Sequence, residues 1–193
     1  MAITLFKERN PINEEHKVPF LVNFFASGLF TGHIPFASGT FGSLIGLAFY
    51  LIPGFSQFLP LTLFTVIFFV IGIFLSGIMM KRYGEDPPQV VIDEIVGLWF
   101  TYLIGSVVFE LFFPVKTFDP AFSFSSKAAF AVIGFLLFRF FDIIKLEPAK
   151  YFDEKNSGIG IMMDDIAAGL YAGVFTSVAT HFIWYRLIVK MHV

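Results

Sequence analysis

The sequence lacks cysteine and is poor in charged residues. Charged residues make up 15% of its 193 residues, whereas a typical soluble domain has roughly 25%. Without cysteine the chain forms no disulfide bond and has no thiol nucleophile. Its net charge is -2 and it has no long basic run, so it lacks the clustered lysine and arginine with which proteins bind nucleic acid. These absences exclude thiol enzymes and argue against nucleic acid as a partner.

The longest uncharged stretch runs from Val18 to Met80, without any Asp, Glu, Lys or Arg. A spanning helix needs about 20 predominantly apolar residues, and 56% of this chain is hydrophobic. We therefore predict an all-α, polytopic membrane protein in which residues 1–193 form a single membrane domain. The apolar runs predict five spanning helices, at residues 42–59, 61–80, 92–113, 127–144 and 164–188, with Pro53 placed to kink the first.

The distribution of positive charges indicates whether residues 19–36 cross the membrane. Residues 1–18 are too charged and irregular for a cleavable signal peptide, and we expect a cytosolic tail there, followed by a helix bundle over about 19–190. If the apolar but Gly-, Ser- and Pro-interrupted residues 19–36 do not cross, eight Lys and Arg side chains lie inside and four outside. The inner ones are Lys7, Arg9, Lys17, Lys81, Arg82, Lys145, Lys150 and Lys155, and the outer ones Lys116, Lys127, Arg186 and Lys190. A sixth span would reverse this bias, contrary to the positive-inside rule, so we expect residues 19–36 to re-enter or to lie at the interface.

In this topology the polar residues of four separate stretches meet at the cytosolic ends of the helices. They are Gly39, Thr40 and Ser43 around the start of the first helix, Asp93 and Glu94 at the start of the third, Arg139 and Asp142 at the end of the fourth, and Asp164 and Asp165 at the start of the fifth. A charge costs about 2.5–3.5 kcal/mol at the bilayer centre on insertion scales, which favours a functional role. Acids at helix N-termini are also stabilised by the helix dipole, by roughly 0.3–1 kcal/mol. That alternative does not account for Asp142, for which an ion pair with Arg139 and Lys145 is a second structural explanation.

Small residues predict which of these acids face the bundle interior. Membrane helices approach each other along stripes of small residues. Stripes with helical spacing join Glu94 to Gly97, Thr101 and Gly105, and Asp165 to Gly169, Ala172 and Thr176. We therefore expect Glu94 and Asp165 to point inward, and Asp93 and Asp164 to lie at the edge.

The ligand chemistry of this cluster favours a hard divalent cation. Carboxylates without His or Cys suit Mg²⁺, Mn²⁺ or Ca²⁺ better than zinc. Beside them lie Arg139, Lys145 and the segment "GHIPFASGTFGS" at 32–43, which together form a candidate anion site. Gly42 and Gly46 also form a GxxxG packing motif, which is a structural alternative for that segment. A metal beside an anion indicates phosphate chemistry.

Two other classes of membrane protein also carry intramembrane acids. A divalent cation transporter needs polar groups along the depth of the bundle, whereas these acids form a layer. A structural subunit without chemistry would tolerate alanine at all of them. His33, Glu110 and His181 are interpreted as structural residues.

The motifs "DEIVGLW" at 93–99, "FRFFDIIKLEPAKYFD" at 138–153 and "GIGIMMDDIAAG" at 158–169, after "SGTFGSL" at 38–44, resemble the phosphatidylglycerophosphatase A family of bacterial membrane phosphatases. The resemblance implies Mg²⁺-dependent hydrolysis of the terminal phosphate of phosphatidylglycerophosphate in the bilayer, at the cytosolic face of the inner membrane. The product would be phosphatidylglycerol, with cardiolipin made further downstream. Ser38 and Leu146 stand where the family has proline, which affects loop stiffness and not charge.

The predicted roles follow from these residues and from the resemblance. The metal ligands are Asp93, Glu94, Asp164 and Asp165, and the phosphate-binding residues are Arg139, Lys145, Gly39, Thr40, Gly42 and Ser43. Arg139, Asp142, Lys145 and Asp165 are the catalytic candidates. Asp142 is the first choice as base for a metal-bound water, while direct attack by an aspartate is an open alternative. Another lipid phosphate, such as phosphatidic acid, is the alternative substrate, and the oligomeric state is not predicted.

Overall fold

The computed structural model describes residues 11–113 and 124–191. Within these residues the protein is entirely helical, which confirms the predicted all-α class. The seven α-helices and one 3₁₀-helix are α1 (Phe20–Ala26), the 3₁₀-helix (Thr31–His33), α2 (Ser38–Leu51), α3 (Phe58–Tyr83), α4 (Ile92–Phe112), α5 (Phe124–Ile144), α6 (Ala149–Asp153) and α7 (Gly158–Met191). Residues 1–10 of the predicted tail lie outside the described residues.

Three of the helices are long and apolar enough to cross a membrane, among the residues that the structure describes. They are α3, α4 and the Gly158–Ile183 part of α7. With 14 residues, α2 is about 21 Å long and shorter than the roughly 30 Å hydrocarbon core. Although α5 has 21 residues, it carries Lys127, Arg139 and Asp142. The structure thus supports a membrane protein with three candidate spans, and not the five that we predicted.

Two of the predicted helices have different boundaries in the structure, and both differences change where site residues lie in their helices. The first helix was predicted over 42–59, but α2 begins at Ser38 and ends at Leu51, where Ile52 turns to extended backbone. Proline disfavours helical backbone at the residue before it, so Pro53 follows the helix end instead of kinking it. The last helix begins at Gly158, before the predicted residue 164. Asp164 and Asp165 therefore lie in its second turn, where the helix dipole contributes little.

The N-terminal segment stays at one end of the helix bundle. With seven residues, α1 is about 10 Å long, which is too short to cross a bilayer. The carbonyl of Ala26 accepts a hydrogen bond from the N–H of Val91 (2.9 Å), just before α4. These features agree with the predicted non-crossing segment over residues 19–36.

The central helix is α4, which packs against α2, α3, α5 and α7. Trp99 and Tyr102 are buried in its middle, where Trp99 Nε1 donates to the carbonyl of Gly46 (2.9 Å) and the Tyr102 hydroxyl donates to that of Ala131 (2.8 Å). Its contact with α7 is close because glycines face each other. A Cβ atom on Gly169 would lie 2.7 Å from the carbonyl oxygen of Gly97. This approach brings the first turn of α4 beside the second turn of α7.

We predict that Gly169→Ala destabilises the protein, because the added methyl group forces α4 and α7 apart. Overpacking of this kind typically costs about 1–3 kcal/mol. The matched control is Gly77→Ala on α3, where a Cβ atom meets nothing within 4 Å. Thermal unfolding of the purified variants in detergent measures the difference. Equal unfolding temperatures for the two variants would contradict the close α4–α7 contact.

Candidate active site

A cavity of about 400 Å³ lies where the first turns of α2 and α4 and the second turn of α7 meet the end of α5. The lining includes seven acidic side chains and two basic ones. The acids are Asp86, Asp93, Glu94, Asp142, Asp153, Asp164 and Asp165, and the bases are Arg139 and Lys145. The predicted convergence of four distant stretches at one end of the bundle is therefore present in the structure.

Three of the acids form a compact group in this cavity. Asp93, Glu94 and Asp165 each offer a carboxylate oxygen within 4.8 Å of the other two. Asp165 is 2% exposed, as expected for an inward-facing acid. Asp93 and Asp164 are 9% and 8% exposed, so both are nearly buried instead of lying at the edge as predicted. A Cβ atom on Gly97 would lie 2.9 Å from the Cβ of Asp165. The group thus exists because α4 has a glycine where the Asp165 side chain leaves α7.

Arg139 lies at the edge of this three-acid group. Its Nη1 is 2.9 Å from Asp142 Oδ2 and 4.0 Å from Glu94 Oε1. The same nitrogen donates to the hydroxyl of Ser43 (3.4 Å), and that hydroxyl donates to the carbonyl of Gly39 (2.9 Å). The predicted Arg139–Asp142 ion pair is therefore present, whereas Lys145 pairs with Asp153 and Asp164 instead of Asp142.

Lys145 ends α5 in a left-handed conformation (φ 50°), and its N–H donates to the carbonyl of Phe141 (2.9 Å). Its ammonium group donates to Asp164 Oδ2 (2.9 Å) and to Asp153. Burial lowers the pKa of Lys145, but the neighbouring carboxylates of Asp164 and Asp153 raise it further, so that it lies above the usual range for lysine. Lys145 is therefore a permanent cation in the cavity wall.

Asp153 was missed in the sequence analysis. It is the last residue of α6 and lines the cavity. It also closes the motif at 138–153, eight positions after Lys145. The short helix α6 was not predicted, and without it the sequence does not show that the chain turns back and returns Asp153 to the lysine.

The acid group fits a hard divalent cation. Its three members are oxygen donors, and Glu94 Oε2 is buried without a hydrogen-bond partner among the described residues. Carboxylate oxygens of this kind are the ligands that Mg²⁺ prefers. The Nε atom of Arg139 is likewise buried without a partner among these residues. Two residues that line the cavity thus keep a donor and an acceptor without a partner among the described residues.

The N-terminal glycine motif divides between the cavity and the packing behind it. Gly39 lines the cavity, and a Cβ atom there would lie 2.2 Å from Glu94 Oε1 and 3.0 Å from both terminal nitrogens of Arg139. A Cβ on Gly42 would instead meet Val91 at 2.6 Å, which supports the packing interpretation for that residue. Thr40, Gly42 and Ser43 are not part of the cavity lining, although Ser43 contacts Arg139.

Of the four predicted metal ligands, the structure groups three and pairs the fourth, Asp164, with Lys145. The residues interpreted as structural lie elsewhere. His33 Nε2 is hydrogen-bonded to Asn23 Oδ1 (2.7 Å), and His181 stacks on Phe113 with 4.1 Å between ring centroids. Neither histidine lines the cavity, and Glu110 does not line it either.

The model of a known family, phosphatidylglycerophosphatase A, matches residues 24–180, which include every motif of the cavity. The chain belongs to the phosphatidylglycerophosphatase A family. Family membership confirms the predicted enzyme class, a membrane phosphatase, over a cation transporter or a structural subunit.

Several curated proteins from bacteria are similar over most of their length. A phosphatidylglycerophosphatase A from Haemophilus influenzae is 34% identical over 173 residues, which cover 86% of this chain and 91% of the relative. The Escherichia coli protein of the same name is 30% identical, covering 81% and 82%. A putative phosphatidylinositol-3-phosphatase from Bacteroides thetaiotaomicron is 33% identical, covering 83% and 94%. No solved structure matches the sequence significantly.

We predict that Gly39→Ala lowers phosphatase activity by about 100-fold, the loss expected when catalytic groups shift by roughly 1 Å. The added methyl group displaces both Glu94 and the Arg139 guanidinium. Gly77→Ala, which also adds one methyl group to a helix, should keep wild-type activity. Turnover measured at equal amounts of folded enzyme tests the prediction, and an active Gly39→Ala variant would show that this close approach is not needed.

Proposed function

We propose that this protein hydrolyses the terminal phosphate monoester of phosphatidylglycerophosphate and releases phosphatidylglycerol and inorganic phosphate, with Mg²⁺ as cofactor. The proposal rests on one observation: the Asp93–Glu94–Asp165 group lines the same cavity as Arg139 and Lys145. The family and the names of the Haemophilus influenzae and Escherichia coli relatives support the substrate.

Asp93, Glu94 and Asp165 would hold the Mg²⁺ ion, with Asp164 next to Asp165 and bound to Lys145. When bound, the ion supplies positive charge to the phosphate oxygens as a Lewis acid. Burial of Asp165 and Asp93 limits competition by water for the three carboxylates. The packing of α4 against α7 sets their spacing before any ligand binds.

Arg139 and Lys145 bind the phosphate oxygens in this mechanism. Arg139 offers its buried Nε–H, while Asp142 and Ser43 hold Nη1. Lys145 offers the N–H that its two carboxylate partners do not use. Phosphoryl transfer depends chiefly on positioning and electrostatic stabilisation, and donors fixed in advance cost little reorganisation during the reaction.

Asp142 is the residue that we assign as general base. It lines the cavity, and its Oδ2 atom is bound to Arg139. The carboxylate can therefore accept the proton of an attacking water next to the phosphate that Arg139 holds.

The cavity faces the cytosol in this proposal. Helices α2, α4 and α7 begin at the cavity end, and α3 and α5 end there. The same end carries four further basic residues: Lys81 and Arg82 in the last turn of α3, Lys150 in α6 and Lys155 just after it. The positive-inside rule then orients this end to the cytosol of a bacterial inner membrane.

Another lipid phosphate is the second candidate substrate, because the Bacteroides thetaiotaomicron relative carries the name of a phosphatase for a phosphorylated inositol lipid. Both candidate substrates carry a phosphate monoester on a lipid headgroup. The groups assigned here recognise the phosphate, so the headgroup has to be decided by measurement.

We predict that the purified protein releases inorganic phosphate from phosphatidylglycerophosphate in detergent micelles when Mg²⁺ is present and stops when the metal is chelated. Phosphatidic acid and phosphatidylinositol 3-phosphate are the comparison substrates at equal surface concentration. The highest kcat/KM should be found with phosphatidylglycerophosphate. A higher kcat/KM for either comparison lipid would identify that lipid as the preferred substrate. Phosphate release that persists in the presence of chelator would contradict the requirement for Mg²⁺.

We further predict that Asp165→Asn lowers turnover by at least about 100-fold, comparable with the loss of one group that stabilises transition-state charge. The substitution keeps the size of the side chain and removes one negative ligand from the three-acid group. Glu110→Gln, at an exposed acid of α4 outside the cavity, is the matched control and should remain fully active. If Asp165→Asn retains wild-type turnover, Asp165 is not part of the metal site.

A further inference from the structure

The side chain of Lys145 is held by two carboxylates that come from different helices. Asp164 belongs to α7 and Asp153 to the end of α6, and both accept hydrogen bonds from the ammonium group. Asp164 belongs to the predicted site, but Asp153 has no role in the mechanism described so far. It lines the same cavity, and its side chain is about one-third exposed.

The two carboxylate partners of Lys145 fix the direction of its third N–H group. An ammonium group has three N–H donors and no acceptor, and Asp153 and Asp164 use two of them. A lysine held by a single carboxylate can rotate about that contact on its flexible four-carbon stem. With two carboxylates on separate helices the nitrogen is fixed in position, and the third N–H points away from both.

The helix that carries Asp153 is itself firmly placed. Ala149, its first residue, is 1% exposed, and the hydroxyl of Tyr171 on α7 donates to the carbonyl of Glu147 just before it (2.5 Å). After α6 the chain passes so close to α3 that a Cβ on Gly158 would lie 2.2 Å from the carbonyl oxygen of Ile73. A side chain can orient another group only if its own backbone is held in place in this way.

The backbone conformation of Lys145 is also unusual. Its φ of 50° lies in the left-handed region, which L-residues other than glycine, asparagine and aspartate seldom adopt. The left-handed residue ends α5 and starts the turn that leads to α6. Glycine would adopt this backbone conformation more easily than lysine. The presence of lysine at this position therefore supports a role for its side chain in the cavity.

We propose that Asp153 is a positioning residue that holds Lys145 in the orientation in which its free N–H meets the substrate phosphate. The inference rests on the proposed function, because it requires that Lys145 binds phosphate. Asp153 acts through Lys145 and does not itself touch the substrate.

The test compares four chains: wild type, Asp153→Ala, Lys145→Met and the double variant. In each, the Kd for inorganic phosphate is measured by calorimetry in detergent with Mg²⁺, and KM and kcat are measured with phosphatidylglycerophosphate. We expect Asp153→Ala to raise Kd and KM about tenfold, which corresponds to about 1.4 kcal/mol, with a smaller effect on kcat. Glu154→Gln changes the adjacent exposed acid and should leave all three values at the wild-type level.

The double variant separates positioning from a merely structural role. If Asp153 acts only through Lys145, adding Asp153→Ala to Lys145→Met should not weaken phosphate binding further, so the two effects are not additive. Additive losses, or wild-type Kd and KM in Asp153→Ala, would overturn the inference. If Asp153→Ala is not recovered folded, Asp153→Asn, which has the same size, is measured against the same criteria.

The proposed function can fail separately. If wild type and Glu154→Gln release no phosphate from the lipid, the proposed function is wrong and the inference falls with it. If both are active and Asp153→Ala has wild-type constants, only the role of Asp153 is wrong.

Discussion

The candidate site depends on the close approach of α4 and α7. Gly97 and Gly169 lack the side chains that would hold these helices apart, and the helices then carry Asp93, Glu94 and Asp165 to within a few ångströms of one another. Three carboxylates in this arrangement repel each other, so helix packing and not mutual attraction must hold them together. Positive charge is needed to relieve the repulsion, and the surrounding structure is arranged to supply and to bind it.

Each of the two cations in the cavity is held by at least one carboxylate and keeps an N–H group that these partners do not use. Arg139 is held by Asp142 and Ser43, and Lys145 by Asp164 and Asp153. Most of the acids therefore divide into a group that fits a metal ion and a set that orients the basic residues. Such a division creates a preorganised field for an anion, although the acids in the cavity outnumber the bases.

The sequence predicted the composition of the site better than its internal contacts. Charged residues inside apolar runs are rare enough to identify Asp93, Glu94, Arg139, Asp142 and Asp165, and the positive-inside rule placed them at one end. Partners were harder to predict, because adjacent residues on a helix point about 100° apart and several cations are within reach. The sequence therefore did not show that Asp164 pairs with Lys145 while Asp165 joins the acids of α4.

Helix boundaries and spans were predictable where local chemistry sets them. Gly84 and the prolines that follow it end α3, and α4 begins close to the predicted residue. The early start of α7 instead depends on a tertiary contact, in which Gly158 packs against the carbonyl of Ile73 on α3. Apolar composition alone also overestimated the number of candidate spans, because α2 is short and α5 carries charged residues.

Binding of Mn²⁺, followed by electron paramagnetic resonance, tests most directly whether the acids and the two cations form one metal and phosphate site. Wild type and the control Glu110→Gln should bind Mn²⁺ saturably, release it to excess Mg²⁺ and change their spectrum when inorganic phosphate is added. Glu94→Gln, which removes the charge from the carboxylate with the buried open oxygen, should lose this binding. Unchanged binding in Glu94→Gln, or a spectrum that phosphate does not alter, would contradict a shared site.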